Sequence, residues 1–145
     1  MQKITPFLWF DRNVEEAVKF YTSVFKNARV ISQNPMTATF EIEGQEFMAL
    51  NGGPQFKFNE AVSFFIKCET QDEVDYHWNA LTADGGREGK CAWLKDKFGV
   101  SWQVVPTALG RYLSDPDREK ADRVMQAMLK MNKIVIADLD KAAAG

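Results

Sequence analysis

The chain has 145 residues, 46% of them hydrophobic, and its 18 Lys+Arg against 20 Asp+Glu leave a formal net charge of -2. This length suits one compact domain that buries roughly two-thirds of the surface its unfolded chain would expose. The even charge balance, with no basic run, argues against a nucleic-acid partner. The apolar stretch at residues 4–10 is short and ends in Asp11 and Arg12, which suits neither a signal peptide nor a membrane span, so a cytoplasmic protein with no membrane partner is expected.

In chain order, the aromatic run ITPFLWF at residues 4–10 reads as a strand. Asn13 followed by Glu16 is an Asn variant of a helix capping box. Val14, Ala17, Val18, Tyr21, Val24 and Phe25 recur at helical spacing and predict a helix over 14–25. ARVISQNP, MTATFEIEG and QEFMALNGG are three β-prone runs separated by the turn signals Asn34-Pro35 and Gly44. Within them Met36, Ala38, Phe40 and Ile42 alternate with Thr37, Thr39, Glu41 and Glu43, and the polar stripe faces either solvent or a cavity.

The same plan then returns. AVSFFIKC at residues 61–68 is strand-like, and Thr70 with Glu73 forms a capping box ahead of Val74, Trp78 and Leu81. Cap and glutamate both repeat after about 57 residues, which argues for an internal duplication. Asp84-Gly85-Gly86 breaks the chain, and WLKDKFGVSWQVVP at residues 93–106 reads as a hairpin turning at Gly99. Beyond Pro106, Asp115 and Pro116 supply a helix cap and first-turn proline, with Val124, Met128 and Met131 along one stripe. A short helix or strap closes the chain.

The paired units, with TPFLWFDRNVEEAVKFYTSVF and CAWLKDKFGVSWQVVP, resemble the PhnB-like branch of the vicinal-oxygen-chelate superfamily, which includes glyoxalases and bleomycin-resistance proteins. The resemblance implies an α+β fold: two paired β-α-β-β-β modules forming a cupped mixed sheet, plus C-terminal helices. A single domain over residues 1–145 is then expected, with modules at about 3–55 and 59–107 and a helical segment at about 108–145. A homodimer is implied as well. Metal enzymes of the superfamily hold a divalent ion with two side chains from each half. Their positions fall here on Thr5 or Pro6, on Ala49, on Ser63 and on Gln103. Pro6 and Ala49 cannot ligate, and neutral Thr5 and Ser63 are weak beside His or a carboxylate, so no metal and no cofactor are expected. Members of the branch often carry a ubiquinone methyltransferase label, but the glycines never form a G-x-G-x-x-G turn between strand and helix.

Two functions follow from the resemblance. One is a metal-free small-molecule-binding protein or degenerate enzyme of the glyoxalase/bleomycin-resistance type, with Ser63, Phe65, Gln103, Thr39 and Ala49 as ligand-binding candidates. The alternative is a lyase, isomerase or transferase acting on a small vicinal-oxygen substrate, with atypical metal ligands or with Glu41 as general base. Ser101, Gln103 and Val105 share one side of the last strand, and alternation puts Phe65 on the Ser63 side, a pattern that suits an apolar pocket with a few polar groups. Phe64, Trp9, Trp93 and Trp102 read as core. His77, on the apolar side of the second helix, reads as packed against the sheet or a partner subunit, and Cys68 and Cys91 read as reduced structural thiols.

Overall fold

The computed structural model describes residues 2–145, in two compact units, one ending at Phe58 and the other spanning Asn59–Gly145. In the first unit, β1 (Phe7–Phe10), α1 (Val14–Val24), β2 (Ala28–Gln33), β3 (Thr37–Ile42) and β4 (Gln45–Asn51) form a sheet of order β1-β4-β3-β2 with one helix. β1 runs parallel to β4, and the other pairs are antiparallel. The β3–β4 hairpin turns on Glu43 and Gly44, both at positive φ (50° and 82°). That is the backbone a two-residue loop of twisted strands demands, and glycine adopts it without penalty.

Val14, Ala17, Val18, Tyr21 and Val24 of α1 are buried. Their sheet-side partners are the buried set Leu8, Phe10, Ala38, Phe40, Ile42, Phe47 and Ala49. Tyr21 stacks on Phe40 at 6.1 Å between ring centroids, and Phe40 on Phe47 at 5.4 Å. The start of α1 departs from the capping box read in the sequence. Asn13 stands at the N-cap but makes no side-chain capping bond. The Val14 N–H donates instead to Oδ1 of Asn51 at 3.0 Å, so the end of β4 closes the helix.

The second unit repeats this topology. β5 (Ser63–Cys68), α2 (Gln71–Thr82), β6 (Arg87–Glu88), β7 (Trp93–Lys95) and β8 (Ser101–Pro106) form a sheet of order β5-β8-β7-β6, with β5 parallel to β8. α2 is capped as its sequence indicates, the Glu73 N–H donating to Thr70 Oγ1 at 3.2 Å. Val74, Trp78 and Leu81 form its buried side. The β7–β8 hairpin is organised by Asp96, only 2% exposed. Its Oδ1 accepts from the N–H groups of Phe98 and Val100, and its Oδ2 accepts from the Trp102 indole at 2.9 Å.

Three helices follow: α3 (Thr107–Leu113), α4 (Arg118–Leu129) and α5 (Ile136–Ala144). Leu109, Val124, Ile134 and Leu139 bury a cluster with Val105 and Ala92, and Met128 and Met131 pack at its edge. The cap of α4 is Asp117, whose side chain accepts from the Lys120 N–H at 3.2 Å. Asp115, the cap read from the sequence, instead accepts from the Asp117 N–H one turn earlier. The Gln71 amide ties α2 to the start of α5, donating to the Ile134 carbonyl at 2.9 Å and accepting from the Ile136 N–H at 2.7 Å. Among the described residues no helix is long and apolar enough to cross a membrane.

Candidate functional site

Strand register arranges the second unit's side chains into rows. Ser63 stands opposite Ser101, Ser101 opposite Lys95, and Lys95 opposite Arg87. The next row runs Phe65, Gln103, Trp93. Because side chains alternate along a strand, both rows lie on one face, and half-buried Phe64 with buried Cys68, Leu94 and Trp102 lie on the other. Gln103 Nε2 donates to Ser63 Oγ at 3.0 Å. The Ser63 oxygen accepts that bond and keeps its own hydrogen to donate. Phe65 is 54% exposed beside this pair, and Trp93 is half-buried. Trp93 is not the core aromatic expected from the sequence, whereas Trp102 is. One further row along, Val105 enters the cluster beneath the C-terminal helices.

A cleft of about 240 Å3 adjoins these rows, lined among others by Trp93, Ser101, Lys95, Arg87 and Glu60. Ser101 is 1% exposed, and its Oγ has no hydrogen-bond partner. Such a group costs about 1–3 kcal/mol unless a ligand or water meets it. Lys95 forms an ion pair with Glu60, which holds the Glu60 carboxyl below its ordinary range. A larger cleft, about 550 Å3, opens in the first unit beside Arg12, Gln33 and Asn34. There the two asparagine side chains are already engaged: Asn51 caps α1, and Asn34 holds the turn to Thr37. The smaller cleft, with the buried and unpartnered Ser101 hydroxyl on its lining, is the better candidate.

The first unit has its own open row, in which Phe7, Met48 and Thr39 are in register. Thr39 is half-buried there. Ala49 is not beside it: 0% exposed and in register with Leu8 and Ala38, it lies on the α1 side. A one-residue slip explains this correction. The helices begin 57 residues apart, at Val14 and Gln71, but the strands before them end 58 apart, at Phe10 and Cys68. Phe7 and Met48 thus match Phe65 and Gln103, and Thr5 rather than Pro6 matches Ser63. Glu41 pairs with Arg29 at 3.5 Å. His77 is half-buried, its Nδ1 2.9 Å from the Glu73 carbonyl.

The positions matching a metal set supply two hydroxyls, a thioether and an amide. None brings the imidazole or negative charge that holds a divalent ion, so this set does not fit one. Among the described residues no group of three or more His, Cys, Asp or Glu side chains could hold a metal ion.

Two sheets of identical strand order, each with its helix, define a vicinal-oxygen-chelate fold with added C-terminal helices. The model of the family described as 3-demethylubiquinone-9 3-methyltransferase matches residues 2–105, and the chain belongs to that family, the PhnB-like branch of the superfamily. It is similar to a PhnB protein from Bacillus cereus, 34% identical over 72% of this chain and 99% of that one, with a TM-score of 0.66. Two more distant structures share the fold alone. A glyoxalase/bleomycin resistance protein from Albidiferax ferrireducens is 14% identical over 72% of this chain and 98% of its own, with a TM-score of 0.53. The fosfomycin resistance protein FosX from Listeria monocytogenes, in complex with Mn(II) and sulfate, is 13% identical over 70% of this chain and 87% of its own, with a TM-score of 0.54. No curated protein matches the chain.

Proposed function

We propose that the chain is a small-molecule-binding protein that works without a metal, and that its ligand lies on the Ser63–Gln103 face of the second unit. The observation carrying this reading is the Gln103–Ser63 hydrogen bond beside exposed Phe65 and half-buried Trp93. An apolar surface with a few convergent polar groups is the usual composition of a ligand site. The amide oxygen of Gln103 and the hydroxyl hydrogen of Ser63 can each serve a neutral polar ligand group. Ala49 drops out of this proposal because its side chain is packed on the α1 side.

Methyl transfer forms no part of the reading. The turns that open α1 and α2 run through Asp11, Arg12 and Asn13 and through Glu69 and Thr70, and carry no glycine to cradle a cofactor phosphate or approach a nucleotide closely. Glu41, the alternative candidate base, is engaged in an ion pair with Arg29. The test is a thermal-shift screen of the purified protein against metabolites, with and without divalent cations. A stabilising metabolite that needs no cation is expected. Stabilisation that appears only with a divalent cation contradicts the reading.

A further inference from the structure

We infer that the cleft beside Trp93 receives an oxyanion, a carboxylate or phosphate group at one end of a ligand whose planar body lies along the Phe65–Gln103–Trp93 row. The inference rests on the small-molecule reading of this face and specifies the class of ligand. Its basis is a surplus of hydrogen-bond donors. Ser101 Oγ is buried, lines the cleft and has no partner. Arg87 also lines the cleft, and it stands in register with Lys95 without an ion pair or hydrogen bond among the described residues. The Lys95 ammonium carries three N–H donors, of which the Glu60 pair engages one side. Ser63, across the ladder from Ser101, has its hydrogen to spare.

Against these stand few acceptors. Glu60 is held by Lys95, Glu88 is exposed on β6, and Gln103 offers one carbonyl oxygen. Glu60 and Glu88, both on the lining, offset the charges of Lys95 and Arg87. Selection therefore comes from directed donors rather than from net field, the arrangement in which a guanidinium fork and a fixed hydroxyl recognise a planar or tetrahedral oxyanion. The volume of about 240 Å3 lies below the roughly 300–1,000 Å3 of pockets that enclose a whole drug-sized molecule. It suits one end of a ligand. Trp93 borders the cleft and continues the aromatic row, giving the adjoining planar part a surface to lie on.

The test is a titration of 15N-labelled protein with benzoate, phenyl phosphate and the neutral isostere benzamide, following the Trp93 indole and Ser101 amide signals. At least one anion is expected to saturate these shifts, and the better of the two identifies a carboxylate or a phosphate as the natural group. Benzamide should bind about tenfold more weakly or worse, and Arg87→Gln, at an exposed position, should weaken the anion by about tenfold. Ser101→Ala, nearly isosteric, should weaken it several-fold without lowering the melting temperature, since the buried hydroxyl has no partner in the ligand-free protein. Absence of saturable shifts with both anions, equal binding of benzamide, or indifference to Arg87→Gln overturns the inference. Should screening hits bind and lose affinity on Gln103→Leu while neither anion binds, the oxyanion assignment alone falls. Hits untouched by Gln103→Leu overturn the underlying site reading instead.

Discussion

Cys68 is fully enclosed at the end of β5, and its thiol is pushed up to about 11, first by burial and then by the nearby Glu73 and Glu69 carboxylates. A raised folded pKa means that the folded chain keeps the proton where the unfolded chain loses it. This stabilisation is full below about 9, the ordinary value, and disappears as pH rises toward about 11. Denaturant midpoints should therefore fall across that window, and Cys68→Ala should remove part of the fall. Under native conditions iodoacetamide should label half-buried Cys91 before Cys68, as mass spectrometry of the digested protein will report. Gln103, Ser63 and the face of Phe65 are legible in the sequence because alternation along one short strand fixes them. Trp93 is not. Its exposure depends on the ladder partner Gln103 and on how little of that face the C-terminal helices cover, and neither is local. Arg87 and Lys95 escape for the same reason, since only strand pairing sets them in a row with Ser101.

The two helix starts separate local from non-local capping. Thr70 is read correctly because a threonine hydroxyl reaches the N–H three residues on within its own turn. Asn13 misleads because its side chain makes no capping bond, and the side-chain acceptor at this helix start is Asn51 on the Val14 N–H, distant in sequence and close only through the β1–β4 pairing. Asn51→Ala should therefore destabilise the fold by about 1 kcal/mol, with the added loss of its bond to the Pro35 carbonyl, while Asn13→Ala costs distinctly less. Urea denaturation of the two variants measures this, and equal losses would contradict the assignment. The same one-residue difference in the strand-to-helix connections moves Ala49 to the α1 side and brings Met48 to the open row. Helical periodicity reveals the repeat, but a side-chain face on a strand reverses with a slip of one, which equal cap spacing cannot detect.

For the whole molecule, the duplicated strand order follows from the repeated pattern of strand, cap and helix, and the hairpin at Gly99 follows from its turn residues. The three C-terminal helices were less legible. α3 follows β8 directly with no capping side chain, and α4 starts at Asp117 because Asp115 is spent on the preceding turn. Apolar side chains remain on the surface, among them Val30 and Ile31 of edge strand β2, Met36, and Met125 and Leu129 of α4. Surface of this kind is commonly covered by a partner, and the homodimer implied by the family resemblance predicts a dimer mass in sedimentation at micromolar concentration; a monomer mass would contradict it. The most direct test of the central claim is calorimetric titration of the parent protein and Gln103→Leu with the strongest metabolite from the cation-free screen. The account predicts that Gln103→Leu melts nearly as the parent does and binds more weakly by about 1–3 kcal/mol, because the ligand's polar group loses its partner. Equal affinity in the two proteins would contradict it.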